Sequence, residues 1–406
     1  MPMPLEGIRV LDWTVWQLGP VGTYLLGDLG CEVIRLESLE GDPARNFEAA
    51  VGAPCSLYGE AEKNYYFPFL NRNKKSITLD LKKPESKEVV RRLVAKSDVF
   101  VSNMRRPVAP RLSMDYETLR EYNPRLIYAQ ASGFGAKGPD KDRPGFDPMG
   151  LARCGIMFTA GEPDDPPVTI MGGIADNMGG IFLAFAVQTA LIARERFGIG
   201  QKVEVSHFGA MLTMMSAIVA SGLILGRNWD RHSRKKAPNP LWNFYCCADG
   251  KWLQFSIIFG DKVWPDFCKV LGIQHLQNDP RFADGPSRKQ HSEELIRVLD
   301  ERFATRTRDE WMKLLDEGGD FIYTFVNDIP DLRYDEQAVL NNYIVDFTDR
   351  DLGPVKFPGL PVDLSETPGS IRTSAPRLGE HNDEIYSQLC GFSAKEIAEF
   401  RAKKVI

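Results

Sequence analysis

The feature that most constrains this chain is the alternation of short β-prone runs with helical segments through its first 205 residues. Ile8-Arg9-Val10-Leu11-Asp12 and Glu32 to Glu37 read as strands, and the helix between them starts near Pro20 and stops at Gly30. Pro is tolerated in a first helical turn and Gly favours the left-handed stop. Ser76 to Leu81 is extended, and Pro84 to Lys96 carries Val89, Val90, Leu93 and Val94 at helical spacing. Asp98 to Val101, Arg125 to Ala129 and Lys202 to Val205 are further strands. Strands separated by helices at this interval form βαβ units, because parallel neighbours need a long crossover. The expected fold class is therefore α/β, with a Rossmann-like parallel-sheet large domain.

The pattern changes after residue 205. The segment 206–240 contains an apolar, Met-rich run (Ala210 to Leu225) and a basic, Pro-containing stretch, and reads as a linker. Residues 241–330 carry Trp, Phe and short amphipathic helices, as a smaller inserted α+β domain would. Residues 331–406 are a Pro, Gly and Asp-rich return with one last helix near Glu380 to Leu389, so the large domain is built from both chain ends.

Composition narrows the function. A net charge of −5 gives no electrostatic case for nucleic acid, and 43% hydrophobic residues with 26% charged is an ordinary globular balance. The opening residues lack the pattern of a signal peptide. The most apolar stretch, Met178 to Ile192, is shorter than a bilayer span and reads as a buried helix. Seven scattered cysteines without a Cys-x-x-Cys pair suit a reducing compartment, so no membrane partner and a cytoplasmic location are expected. The five histidines show no metal-ligand spacing, and no metal is expected. Gly133-Phe134-Gly135-Ala136-Lys137-Gly138 follows a strand, but the Pro-rich segment after it cannot open a pyrophosphate-binding helix. Neither a P-loop nor a Gly-x-Ser-x-Gly elbow is present.

Carboxylate chemistry remains. Gly172 to Gly180 places Asp176 on a glycine-flanked turn just before a helix. That position suits a helix N-cap. It equally suits an ionised nucleophile beside free backbone N–H groups, with small neighbours leaving room for a substrate. Spacing alone does not choose between the two. A second cluster is basic: Asn71 to Lys75, Arg105, Arg106 and Arg111. Taken singly these are ordinary surface charges, and taken together they form a rim for phosphates.

At these residues the sequence resembles the class III CoA-transferases, the family of formyl-CoA, carnitine, phenyllactate and benzylsuccinate CoA-transferases. The resemblance is carried in order by Pro4 to Asp12, Gln17 to Pro20, Leu29 to Glu37, Asn71 to Lys75, Asp98 to Asn103, Gly198 to Val203 and Leu378 to His381. It implies that Asp176 is the nucleophile, forming first an anhydride and then an aspartyl-CoA thioester, and that Gln17 lies near the reacting thioester. Asn71, Arg72, Lys74, Asn103, Arg111 and Arg143 fall in or near segments that contact CoA, and Asp147 matches an acidic position beside the nucleophile. No permanently bound cofactor is implied; a CoA thioester is a substrate and a small carboxylic acid the acceptor. An interlocked homodimer is implied, or a heteromer with a paralogous subunit. Related α-methylacyl-CoA racemases look to need a histidine where this chain has Phe146, which cannot accept a proton. Ile257 to Asp261 lacks the glycine run of formyl-CoA transferase. With Trp16, Phe146, Met149, Trp242 and Phe244 this points to a bulky aromatic or branched substrate, phenyllactate- or benzylsuccinate-like, with succinyl-CoA as a candidate donor.

Overall fold

The computed structural model describes residues 1–46, 59–60 and 63–406, so Cys55 lies outside the described residues. Six strands form one sheet: β1 (Arg9–Trp13), β2 (Glu32–Glu37), β3 (Lys74–Thr78), β4 (Val99–Ser102), β5 (Ile127–Ser132) and β6 (Lys202–Ser206). Their order is β3-β2-β1-β4-β5-β6 and every pairing is parallel. Side chains alternate between the two faces, as strand geometry requires. Val10, Val33, Val99 and Ile127 pack in one core layer, and Leu11, Ile34, Phe100 and Tyr128 in the other. Both faces are covered, which is why these strands read as continuous apolar runs.

β3 begins at Lys74, earlier than the sequence placed it. The reason is that Lys74 is fully enclosed: its Nζ lies 3.0 Å from Asp12 Oδ2 and 2.8 Å from Thr23 Oγ1. The outer edge of β3 is closed by the returning C-terminal segment. Ser76 N–H donates to His381 Nδ1 at 3.2 Å and Thr78 N–H to Asn382 Oδ1 at 2.9 Å, so two edge amides are satisfied by side chains.

Helix α1 (Leu18–Asp28) follows β1, and α2 (Ser86–Ala95) covers the sheet with its valine face. Further on come α3 (Asp147–Cys154), α4 (Ile174–Phe197), α5 (His207–Met214) and α6 (Ser216–Leu225). A Cβ on Gly180 would stand 2.4 Å from a methyl carbon of Val21, so the glycines after Asp176 serve the approach of α4 to α1 rather than access for a substrate. α4 is longer than its apolar sequence run and is not wholly buried. Its other face exposes Ile181, Phe185 and Ile192, and α6 buries nothing. At 24 residues α4 has the length of a bilayer span, but its inner face packs on α1 and the sheet, and Arg194 pairs with Asp98 at 3.0 Å.

The chain divides into two compact units. The larger comprises 1–156, 169–225 and 335–406, so both chain ends contribute to it. The smaller comprises 157–168 and 226–334; it begins earlier than residue 241 and recruits twelve residues that the sequence placed in the large domain. It has a three-stranded antiparallel sheet, Phe244–Cys246, Trp252–Phe255 and Tyr323–Val326. Its core is aromatic, centred on Trp264, Phe267, Phe303 and Trp311.

Candidate active site

Strand order reverses between β1 and β4, and in parallel sheets the crevice outside the strand ends at that point is where ligands bind. A cavity of about 460 Å³ lies there. Its wall is made by the residues at the C-terminal ends of the strands: Val15 and Trp16 after β1, Asn103 to Arg106 after β4, Ser132 and Gly133 at the end of β5, and His207 after β6. The 141–146 loop and Asp176 complete it, so the glycine segment dismissed as a dinucleotide motif leads directly into the cavity wall.

Asp176 is the third residue of α4, not its cap. Gly173 is the N-cap, at φ 65°, a backbone conformation that disfavours side chains. The carboxylate that meets the helix start is that of Asp147, whose Oδ1 accepts from Ala175 N–H at 2.6 Å and Asp176 N–H at 3.2 Å. Burial raises the pKa of Asp147; the two N–H bonds oppose the rise and the neighbouring Asp176 charge adds to it. Asp176 therefore has its backbone fixed by one carboxylate while its own side chain faces the cavity. Asp176 Oδ1 lies 2.7 Å from His207 Nε2. Gly150 makes this meeting possible, because a Cβ there would stand 2.8 Å from the His207 Cβ and 2.9 Å from the Ala175 Cβ.

Gln17 lies beside the same turn. Its Nε2 donates to Asn177 Oδ1 at 3.2 Å and its Oε1 accepts from Tyr66 Oη at 3.1 Å. A Cβ on Gly173 would be 2.4 Å from Gln17 Nε2, which gives the glycine turn a second reason. Asn103 ties two strand ends together: Val15 N–H donates to its Oδ1 at 2.9 Å and its Nδ2 donates to Val15 O at 2.7 Å. Trp16 and Phe146 meet edge to face at 6.1 Å on the cavity wall.

The basic cluster separates into two groups. Arg105, Arg106, Lys141 and Arg143 line the cavity. Arg143 is exposed and pairs with Asp140 at 3.2 Å, and Arg106 pairs with Glu204 at 2.6 Å. Asn71, Arg72 and Lys74 do not form a phosphate rim. All three are buried: Arg72 Nη2 is 2.7 Å from Asp28 Oδ2, and Asn71 Oδ1 accepts from Lys74 Nζ at 3.0 Å. Burial pulls Lys74 down to about 8 despite Asp12. Arg111 ends the short helix Val108–Arg111 and is exposed, away from the cavity wall. Met149 is exposed on α3, while Trp242 and Phe244 belong to the smaller unit.

The histidines were legible in the sequence only as candidates for metal spacing, and His207 was passed over. The signal was a titratable residue just after a parallel strand, at the sheet edge where ligands bind. Among the described residues no cluster of ligating side chains fits a metal.

A parallel sheet with a carboxylate at its switch-point crevice defines an α/β enzyme with a site for a small-molecule substrate. The chain belongs to CoA-transferase family III, whose sequence model matches residues 5–382. It is an enzyme of the CoA-transferase type, and enzymes of that type use CoA thioesters as substrates. It is 33% identical to succinyl-CoA–D-citramalate CoA-transferase of Chloroflexus aurantiacus, over all of this chain and 98% of the relative. It is 31% identical to (R)-2-hydroxy-4-methylpentanoate CoA-transferase of Clostridioides difficile over the full length of both. With cinnamoyl-CoA:phenyllactate CoA-transferase of Clostridium sporogenes it shares 30% identity over 99% of this chain and 97% of the other. A solved CAIB/BAIF family protein from Brucella suis superposes with a TM-score of 0.85 at 30% identity, covering 96% of this chain and all of that one.

Proposed function

We propose that the enzyme transfers CoA from an acyl-CoA donor to a carboxylic acid by covalent catalysis at Asp176. The supporting observation is the Asp176 carboxylate itself, which faces the switch-point cavity with Oδ1 held by His207. Its Oδ2 attacks the donor carbonyl carbon, the C–S bond breaks, and a mixed anhydride and CoA thiolate form. The thiolate adds to the Asp176 carboxyl carbon and expels the donor acid, leaving an aspartyl-CoA thioester. The acceptor carboxylate runs the same steps in reverse. No net proton is consumed, so one carboxylate suffices.

Arg105, Lys141 and Arg143 on the cavity wall suit the CoA phosphates. The Trp16–Phe146 pair suits a bulky aromatic or branched acyl group, in keeping with the phenyllactate and 4-methylpentanoate relatives. The succinyl-CoA named for the citramalate relative makes that thioester the first donor to try. The exposed apolar face of α4 suits the interlocked homodimer that the family resemblance implies. A cytoplasmic location fits the scattered cysteines.

The test is mass analysis after mixing the enzyme with a panel of acyl-CoA thioesters and trapping with hydroxylamine. An adduct on the Asp176 peptide, with certain donors only, is the expected result and names the donor class. An unmodified Asp176 alongside exchange of the acyl α-proton would overturn the proposal in favour of a racemase.

A further inference from the structure

Among the described residues, His207 makes the one side-chain hydrogen bond to the Asp176 carboxylate. We propose that His207 is a catalytic residue of the transfer, donating its Nε2–H to the oxyanion that forms on Asp176 Oδ1 whenever the Asp176 carboxyl carbon is attacked. The inference rests on Asp176 as the nucleophile.

An ionised carboxylate only accepts hydrogen bonds, so the 2.7 Å contact assigns a proton to Nε2. His207 Nδ1 is buried and has no hydrogen-bond partner among the described residues. A histidine kept for structure alone normally satisfies both ring nitrogens when buried. This one turns its Nε2–H to Asp176, and Gly150 clears the space that brings it there.

The reaction then dictates its use. In the anhydride, Oδ2 bridges to the acyl group and Oδ1 is the carbonyl oxygen. When CoA thiolate adds to the carboxyl carbon, the C=O electron pair moves onto Oδ1. Collapse of that intermediate expels the donor carboxylate with the former Oδ2. When the acceptor carboxylate later adds to the aspartyl thioester, the same oxygen takes the charge and CoA thiolate departs. His207 keeps its proton throughout, acting as a fixed donor rather than as an acid. The other two additions put charge on the substrate carbonyl oxygen, away from this contact. A donor already within 3 Å of the developing charge needs no reorganisation, and loss of one such donor costs about 10²–10³-fold in kcat.

The experiment compares wild type, His207→Leu and His207→Gln with the best donor, measuring kcat, KM and the fraction of Asp176 trapped by hydroxylamine. Gln places an amide N–H near the position of Nε2. His207→Leu is expected to lose about 10²–10³-fold in kcat with KM for acyl-CoA unchanged, while more Asp176 is trapped as adduct. His207→Gln is expected to recover at least about tenfold of that loss. A His207→Leu enzyme within a few-fold of wild type, or a Gln variant as slow as the Leu variant, overturns the inference. Wild-type enzyme without an Asp176 adduct defeats the nucleophile reading instead. Should His207→Leu fail to fold, ¹⁵N spectra of the wild-type histidines decide: a protonated Nε2 supports the role, and a bare Nε2 overturns it.

Discussion

The carboxylate of Asp147 holds the backbone of Asp176: one oxygen receives the N–H groups of both Ala175 and Asp176, at 2.6 and 3.2 Å. A helix N-terminus normally takes its acceptor from the residue just before it. Here the acceptor comes from the start of another helix, 29 residues earlier in the chain, and the capping position is left to glycine. The side chain of Asp176 is thereby freed from capping and available to the cavity.

Asp147→Ala removes this cap. Stability is expected to fall by about 1 kcal/mol, the usual cost of a lost helix cap, and kcat to fall with KM for acyl-CoA little changed. Asp147→Asn keeps an accepting oxygen and should retain most of both. Thermal melts and steady-state kinetics on the two variants check this. An Asn variant as impaired as Ala would assign the role to the charge of Asp147 instead.

Gly150 separates two fixed Cβ atoms, so Gly150→Ala forces α3 away from His207 and Ala175. Overpacking of this kind costs about 1–3 kcal/mol. Transfer activity is expected to fall with it, because Asp176 and His207 are held together across the same contact. Adding Ala175→Gly removes one of the two clashing atoms and should restore part of both, read as a non-additive double-mutant cycle.

The parallel sheet was legible because its strands are buried on both faces and separated by helical spacing. The family resemblance singled out Asp176, Gln17 and Asp147, and the structure brings all three to one turn. Lys74 and Arg72 were misread for a physical reason: a charged run looks like surface, and nothing in a linear sequence tells that Asp12 and Asp28 wait inside to pair with it. His207 escaped because its partner is 31 residues away and meets it only through a close helix approach at Gly150. The apolar run of α4 likewise told of burial without telling that one face would remain exposed.

The two groups of basic residues respond differently to substitution. Arg72→Ala strands the Asp28 carboxylate in the interior, and breaking a buried pair costs about 3–5 kcal/mol. KM for acyl-CoA in the surviving folded enzyme should be unchanged. Arg143→Ala, at an exposed position, should leave stability within about 0.5 kcal/mol and raise KM for acyl-CoA about tenfold, the effect expected of losing the proposed charged contact to a CoA phosphate. Denaturant melts paired with kinetics decide, and the opposite pattern would return Arg72 to the phosphate site.

The closure of the β3 edge is expected to depend on pH. His381 Nδ1 accepts from Ser76 N–H, and only an unprotonated nitrogen can accept. Burial, the larger cause, lowers the His381 pKa from 6.5, with Lys75 and Arg350 adding to the fall and Glu380 and Glu384 opposing it. The folded state thus binds fewer protons than the unfolded chain between the lowered value and 6.5. Stability contributed by this contact is complete above 6.5 and is lost as pH falls through the lowered folded value. His381→Asn offers an accepting oxygen near the Nδ1 position and cannot be protonated. Melting curves from about pH 7.5 to 5 should therefore show a shallower acid decline for His381→Asn than for wild type. Hydrogen exchange at the Ser76 amide, rising on acidification in wild type but not in the variant, would locate the effect at this edge. Identical acid declines in the two proteins would show that the edge is held by other contacts, Thr78 to Asn382 foremost.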